Sequence, residues 1–156
     1  MAAKPETLMW NRLKAQASPD WHITRIENRH GGGVPDVHIC AQGLAFWLEL
    51  KTTKNQRVNI GSHQVAWHYG FSRAGGVSFF LVEALPASTL FLFGGNQGKE
   101  LLVNGLRTTS SGLVVPCLWS GPDGSGAWDH MIRVGSNRSY SAGSGSGRAS
   151  IGYGLI

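Results

Sequence analysis

Residues 34–51 carry the pattern that most narrows the folds open to this chain. Val37 and Ile39 alternate with Asp36 and His38, and after Ala41-Gln42-Gly43 the alternation resumes with Leu48 and Leu50 set against Glu49 and Lys51. Successive side chains of a strand point to opposite faces. Strands over 34–40 and 44–51, paired as an antiparallel hairpin, therefore present one apolar face. On the other face Asp36, Glu49 and Lys51 can converge on a single patch. Phe46, Leu48 and Leu50 mark the surroundings as apolar, so charges without partners would be costly there.

The rest of the chain supplies the layers that such a hairpin needs. Pro5 opens a helix over 5–17, with Leu8, Met9, Arg12 and Leu13 at helical spacing, and Ser18-Pro19-Asp20 stops it. The β-branched content of Trp21 to Glu27 predicts a first strand, followed by a glycine-rich turn over 28–33. A polar loop, 52–61, carries Lys54 and Arg57. Ser62 is a natural N-cap for a helix over 62–74, with Val65, Ala66, Tyr69 and Phe71 as its apolar stripe and Gly75-Gly76 as its end. The near-continuous apolar run 77–83 predicts a strand covered on both faces. A strand over 89–93 and a helix over 97–105 follow. The expected fold is α/β, a mixed β-sheet flanked by helices in the order αβββαβ, with helix 62–74 as the crossover that sets strand 77–83 parallel to strand 44–51.

One domain is expected, because 156 residues at 42% hydrophobic content suffice for one core and are few for two. The core is expected over 1–107, with a packed extension over 108–135 that includes edge strands at 114–119 and 129–134. The Gly/Ser-rich composition of 136–156 predicts a flexible tail. Cys40 and Cys117 are far apart in apolar surroundings, which predicts buried, reduced thiols. No apolar run spans a bilayer and the N-terminus lacks a secretory layout, so no membrane association and a cytoplasmic location are expected. A formal charge of +5 favours polyanionic partners without requiring them.

Two carboxylates and an amine at one point suit phosphodiester hydrolysis. Mg²⁺, held by one or two carboxylates with waters and phosphate oxygens, neutralises developing charge and acidifies an attacking water. Asp36 and Glu49 are the candidate metal ligands, with the backbone carbonyl of Leu50 as a third oxygen. Lys51 is placed to orient the water or stabilise the pentacovalent phosphate. Gln64, in the first turn of the helix, is a candidate to hydrogen-bond the phosphate or the water. Glu27 is either an extra metal ligand or a charge on a strand end. Lys54, Arg57 and Arg73 are candidates to track a phosphate backbone, Trp67 to stack a base and His38 to touch substrate. The plain alternative makes Glu49 and Lys51 an ion pair on a solvated strand. The glycines before Val34 either admit a phosphate backbone or form a simple turn.

The runs Gly33-Val34-Pro35-Asp36-Val37-His38-Ile39, Phe46-Trp47-Leu48-Glu49-Leu50-Lys51 and Ser62-His63-Gln64-Val65-Ala66-Trp67 resemble the PD-(D/E)xK nuclease superfamily, and within it the VRR-NUC and Holliday-junction-resolvase-like nucleases, many of them encoded by phages. The resemblance covers roughly residues 20–95. It implies a restriction-endonuclease-like core and a DNA endonuclease using Mg²⁺ or Mn²⁺ bound by Asp36 and Glu49. It also implies that Lys51 assists the water, that Gln64 is the family's helical glutamine and that Glu27 is the position matching an upstream acidic residue. With no separate recognition domain, cleavage selective for junctions or flaps fits better than cleavage at a sequence, in phage replication, recombination or genome processing. Resolving a junction takes two cuts, which leaves a homodimer open. Two competing readings are a nucleic-acid-binding module that keeps the fold without cleaving, and an interaction protein whose Ser/Gly tail contacts a partner.

Overall fold

The computed structural model describes residues 2–26, 32–107 and 127–143. Five strands form one sheet in chain order: β1 (His22–Arg25), β2 (Val37–Ala41), β3 (Leu44–Thr53), β4 (Ser78–Ala84) and β5 (Thr89–Gly94). The β3/β4 pair is parallel and the other three are antiparallel. The helices are α1 (Pro5–Ala15), α2 (Ser62–Arg73), α3 (Gly98–Asn104) and α4 (Ala127–Gly143). This is the expected mixed sheet flanked by helices, with α2 as the crossover between the two parallel strands.

Each face of the sheet has its own core. On one, Val37, Ile39, Phe46, Leu48, Leu50, Phe79 and Leu81 pack against Met9, Trp10 and Leu13 of α1 and Trp128, Met131 and Ile132 of α4. On the other, Phe80, Val82 and Phe93 pack against Val58, Ile60 and Leu101. Burying each of these large side chains is worth about 1.5–3 kcal/mol, so the hairpin is anchored on the α1 and α4 side and β4 on both sides. Glu83, buried on the α1 side, meets its charge partner at once, with Arg12 Nη2 2.6 Å from its Oε2.

Several expectations change. The stretch 129–134 is helix rather than strand: Trp128, Met131, Ile132 and Gly135 follow the helical period i, i+3, i+4, i+7, and α4 runs through Gly143, well into the expected tail. Trp128 donates its indole N–H to the Leu13 carbonyl at 2.6 Å, fixing α4 to α1. On α1 the buried set is Met9, Trp10 and Leu13, while Leu8 faces outward. Cys40 is exposed, because it points to the face of β2 that no helix covers among the described residues. Glu27, Cys117, the expected strand 114–119 and residues 144–156 lie outside the described residues.

Candidate active site

The candidate patch begins with a mismatch in the hairpin. Val37 pairs with Leu48, so continuing that register places Pro35 opposite Leu50. Proline has no N–H and does not extend the ladder. The strands part here, and the Leu50 N–H is taken by the Asp36 carboxylate, Oδ2 accepting at 2.9 Å. One residue further, Glu49 and Lys51 rise from the face opposite Leu50, and Lys51 Nζ lies 3.1 Å from Glu49 Oε1. The expected convergence of Asp36, Glu49 and Lys51 is therefore present.

Gln64 completes the setting. Its Oε1 accepts the Gly61 N–H at 2.9 Å, closing the start of α2, and this orientation forces its amide nitrogen toward Glu49 Oε1, to which it donates. Gln64 thus holds a carboxylate as well as capping a helix. The α2 stripe expected from sequence is kept in part, with Val65 packed on the second core and Phe71 half-buried. Ala66 and Tyr69 are exposed, and the fully buried residue is His68, whose Nδ1 is 2.9 Å from Ser78 Oγ and whose ring lies against Phe80. The inward side of the helix thus carries Gln64, bonded to Glu49, and His68 beside the apolar Val65.

Gly33 is needed for the same docking. It sits at φ +93°, and a Cβ there would run into the His63 carbonyl and crowd the Gln64 amide at the start of α2. This decides the function of that glycine in favour of close chain approach. Gly33→Ala is expected to lower stability by about 1–3 kcal/mol, read as a drop in the urea midpoint. An unchanged midpoint would remove Gly33 from the account.

Burial dominates the electrostatics of the site. Burial pushes the Asp36 carboxyl above its ordinary range, opposed by the Leu50 N–H, Lys51 and Arg25 and reinforced by Glu6. Burial and the neighbouring Asp36 push Glu49 up to about 7, although Lys51 and Gln64 both favour its charged form. Burial, with Lys51 adding, holds His68 down to about 4, so it is neutral at physiological pH. Glu49 Oε2 and His68 Nε2 are buried with no hydrogen-bond partner among the described residues. A buried carboxylate oxygen left bare beside a second carboxylate fits a hard cation. No group of three or more His, Cys, Asp or Glu side chains able to hold a metal occurs among the described residues, so these residues offer a cation two carboxylates and backbone oxygen, with water to complete its shell.

Glu6 was missed by the sequence reading. It comes from α1, accepts a hydrogen bond from Thr52 Oγ1 at 2.9 Å, and is close enough to raise Asp36. Only the packing of α1 onto β3 brings it here, and the one signal available was an acidic residue in a first helical turn.

The outer candidates divide. His38 and Trp67 both lie beside Trp47, at ring-centroid distances of 4.8 and 5.6 Å. Lys54 and Arg57 are exposed in the loop that leaves β3. Arg73 is not brought to the site: it lies at the far end of α2 on the exposed side, over the Tyr69 ring at 6.0 Å.

Among solved structures the chain is similar to a Holliday junction resolvase of Archaeoglobus fulgidus, at 17% identity and TM-score 0.42, covering 58% of this chain and 69% of that one. It is also similar to a bacterial homing endonuclease, at 13% identity and TM-score 0.39, covering 86% and 89%. No family model and no curated protein matches it. No helix among the described residues is long and apolar enough to cross a membrane.

Proposed function

We propose that the chain is a metal-dependent DNA endonuclease that hydrolyses phosphodiester bonds, with a preference for junction or flap DNA. The observation that carries this reading is the bare, buried Oε2 of Glu49 next to Asp36 and Lys51. An ordinary structural ion pair would have both oxygens satisfied.

Asp36 and Glu49 would hold Mg²⁺ or Mn²⁺. The Leu50 carbonyl is a further oxygen, since the N–H and C=O of one strand residue face the same side and its N–H already faces Asp36. Bound there, the cation supplies charge neutralisation and a more acidic water. Gln64 keeps the Glu49 carboxylate aimed by binding Oε1, and its own aim is set by the helix start. Lys51, 3.1 Å from the same oxygen, provides the positive charge that stabilises a phosphate gaining negative charge, and it offers N–H groups to orient a water. Glu6 adds a carboxylate on the α1 side, where it accepts the Thr52 hydroxyl. The exposed Lys54 and Arg57 suit contacts to the phosphate backbone. Two cuts in a junction would need two copies of the chain, and a setting in phage replication or recombination belongs to the same reading.

The test is incubation of labelled four-way junction, flap and linear duplex with Mg²⁺, Mn²⁺ or chelator. Cleavage of branched substrates is expected with either cation and none with chelator. Calorimetry run alongside separates the alternatives. Metal binding with DNA left intact would favour the non-catalytic binding module, and DNA binding indifferent to salt would favour neither, because phosphate contacts weaken as salt rises.

A further inference from the structure

Beside the carboxylates, the same sheet face carries rings that hydrolysis does not use. His38 and Trp47 are cross-strand partners with ring centroids 4.8 Å apart. Trp47 meets the edge of Trp67 at 5.6 Å, and Trp67 stacks on Phe71 at 4.9 Å. All four are partly exposed. Pinning α2 to β3 accounts for Trp67 and Phe71, which pack from the helix side. It does not account for His38, which lies on β2, beyond the helix.

Among the described residues, no element packs over the β1/β2 part of this face. The helix α2 packs over β3 and β4, whereas over β1 and β2 this face bears His22, Thr24 and Cys40, all exposed. Along the five strands the described residues of this face carry no carboxylate other than Asp36 and Glu49, so a polyanion meets no repulsion away from the metal ligands. Trp47 precedes Glu49 by two residues on the same face, roughly 7 Å along the strand. That separation is one the sugar between a phosphate and its base can span.

We infer that Trp47 and His38 form a platform on which an unpaired nucleobase stacks beside the scissile phosphate, so that the site selects DNA carrying an unstacked nucleotide. The inference rests on the endonuclease reading above and narrows its substrate. Inside a duplex both faces of every base are covered by stacked neighbours, whereas an unpaired base has a face to offer. Ring stacking is indifferent to base identity, so the platform reads structure rather than sequence.

The experiment uses the full chain with chelator present, so that nothing is cut, and flap DNA carrying the fluorescent base 2-aminopurine singly at each unpaired position or at duplex positions. Quenching is expected at an unpaired position next to the branch and not within the duplex. Trp47→Leu, which keeps apolar contact with Trp67, should abolish that quench and weaken flap binding about tenfold, with duplex binding changed less than twofold. His38→Ala, at a partly exposed position where folding is not at risk, should reduce the quench in the same direction. An undiminished quench in both variants overturns the platform. So does sedimentation showing that Trp47→Leu splits a dimer with quenching intact, because the face would then join two copies of the chain. A metal-supplemented assay separates the two readings: stacking without cleavage keeps the platform and defeats the endonuclease, and cleavage without stacking does the reverse.

Discussion

Asp36→Asn is expected to reduce cleavage of branched DNA by roughly a thousandfold or more while leaving the protein folded. The substitution removes one of two charges that would bind the cation, and losing several kcal/mol of charge stabilisation corresponds to that factor. Asparagine matters to the design of the test. Asp36 Oδ2 accepts the Leu50 N–H, and alanine would leave that buried donor bare at a cost of about 1–3 kcal/mol, confusing loss of chemistry with loss of fold. The asparagine carbonyl keeps the acceptor. Lys51→Met, which retains the apolar stem, should cost about a hundredfold to a thousandfold, the range for removing one preorganised charge-stabilising donor. Initial rates on a labelled flap measure both. Rates within tenfold of the parent for either variant would mean that hydrolysis, if present, occurs elsewhere.

Glu49→Gln should produce the opposite pairing, an inactive protein more stable than its parent at alkaline pH. Glu49 has its carboxyl raised to about 7 from 4.5, chiefly by burial. The folded state therefore holds this proton more tightly than the unfolded chain. Below pH 4.5 the group is protonated in both states and imposes no penalty. Stability falls as pH rises from 4.5 to 7 and remains lower above that range. The lost stability is on the order of 3 kcal/mol, reduced in the variant because Lys51 also loses its carboxylate partner. Glutamine keeps an acceptor for Gln64 and carries no charge. With chelator, the variant should resist urea better than the parent at pH 8 and equally at pH 4. Adding Mg²⁺ should raise the parent's midpoint by binding only the folded state and leave the variant's nearly unchanged. A variant less stable than the parent at pH 8 would mean that Glu49 is a structural ion-pair member and not a strained ligand.

These two outcomes bear on what the α2 surface is for. An inward helix face bearing Gln64 and His68 rather than a full apolar stripe gives up burial energy. The return is a carboxylate held in one orientation, with one oxygen free. Glu83 shows the contrast within the same molecule: it is equally buried but faces Arg12 at 2.6 Å.

The hairpin was legible because its signal is local. Alternation at period two in 34–51, a turn at Gln42-Gly43 and a proline before Asp36 place Asp36, Glu49 and Lys51 together without reference to anything distant. The parallel crossover was legible from the apolar run 77–83 and the helix before it. The orientation of α2 was not, since Val65, Ala66, Tyr69 and Phe71 offered a plausible apolar stripe and the competing attraction, Gln64 for Glu49, acts between residues fifteen positions apart. Residues 129–134 read as a strand because a short apolar run fits both periods, and the length of α4 that decides for helix lies in Gly/Ser-rich sequence.

Sequence alone therefore determined the order of elements along the core, the β2/β3 hairpin, the crossover and the three charged groups at its centre, because pleat and turn chemistry act between near neighbours. Tertiary structure alone decided which face of α2 turns inward, that α4 closes over α1, that Glu6 stands near Asp36 and that Cys40 is left in the open. Those outcomes depend on how separate elements share one apolar interior, and that competition is settled only when all of them are packed at once.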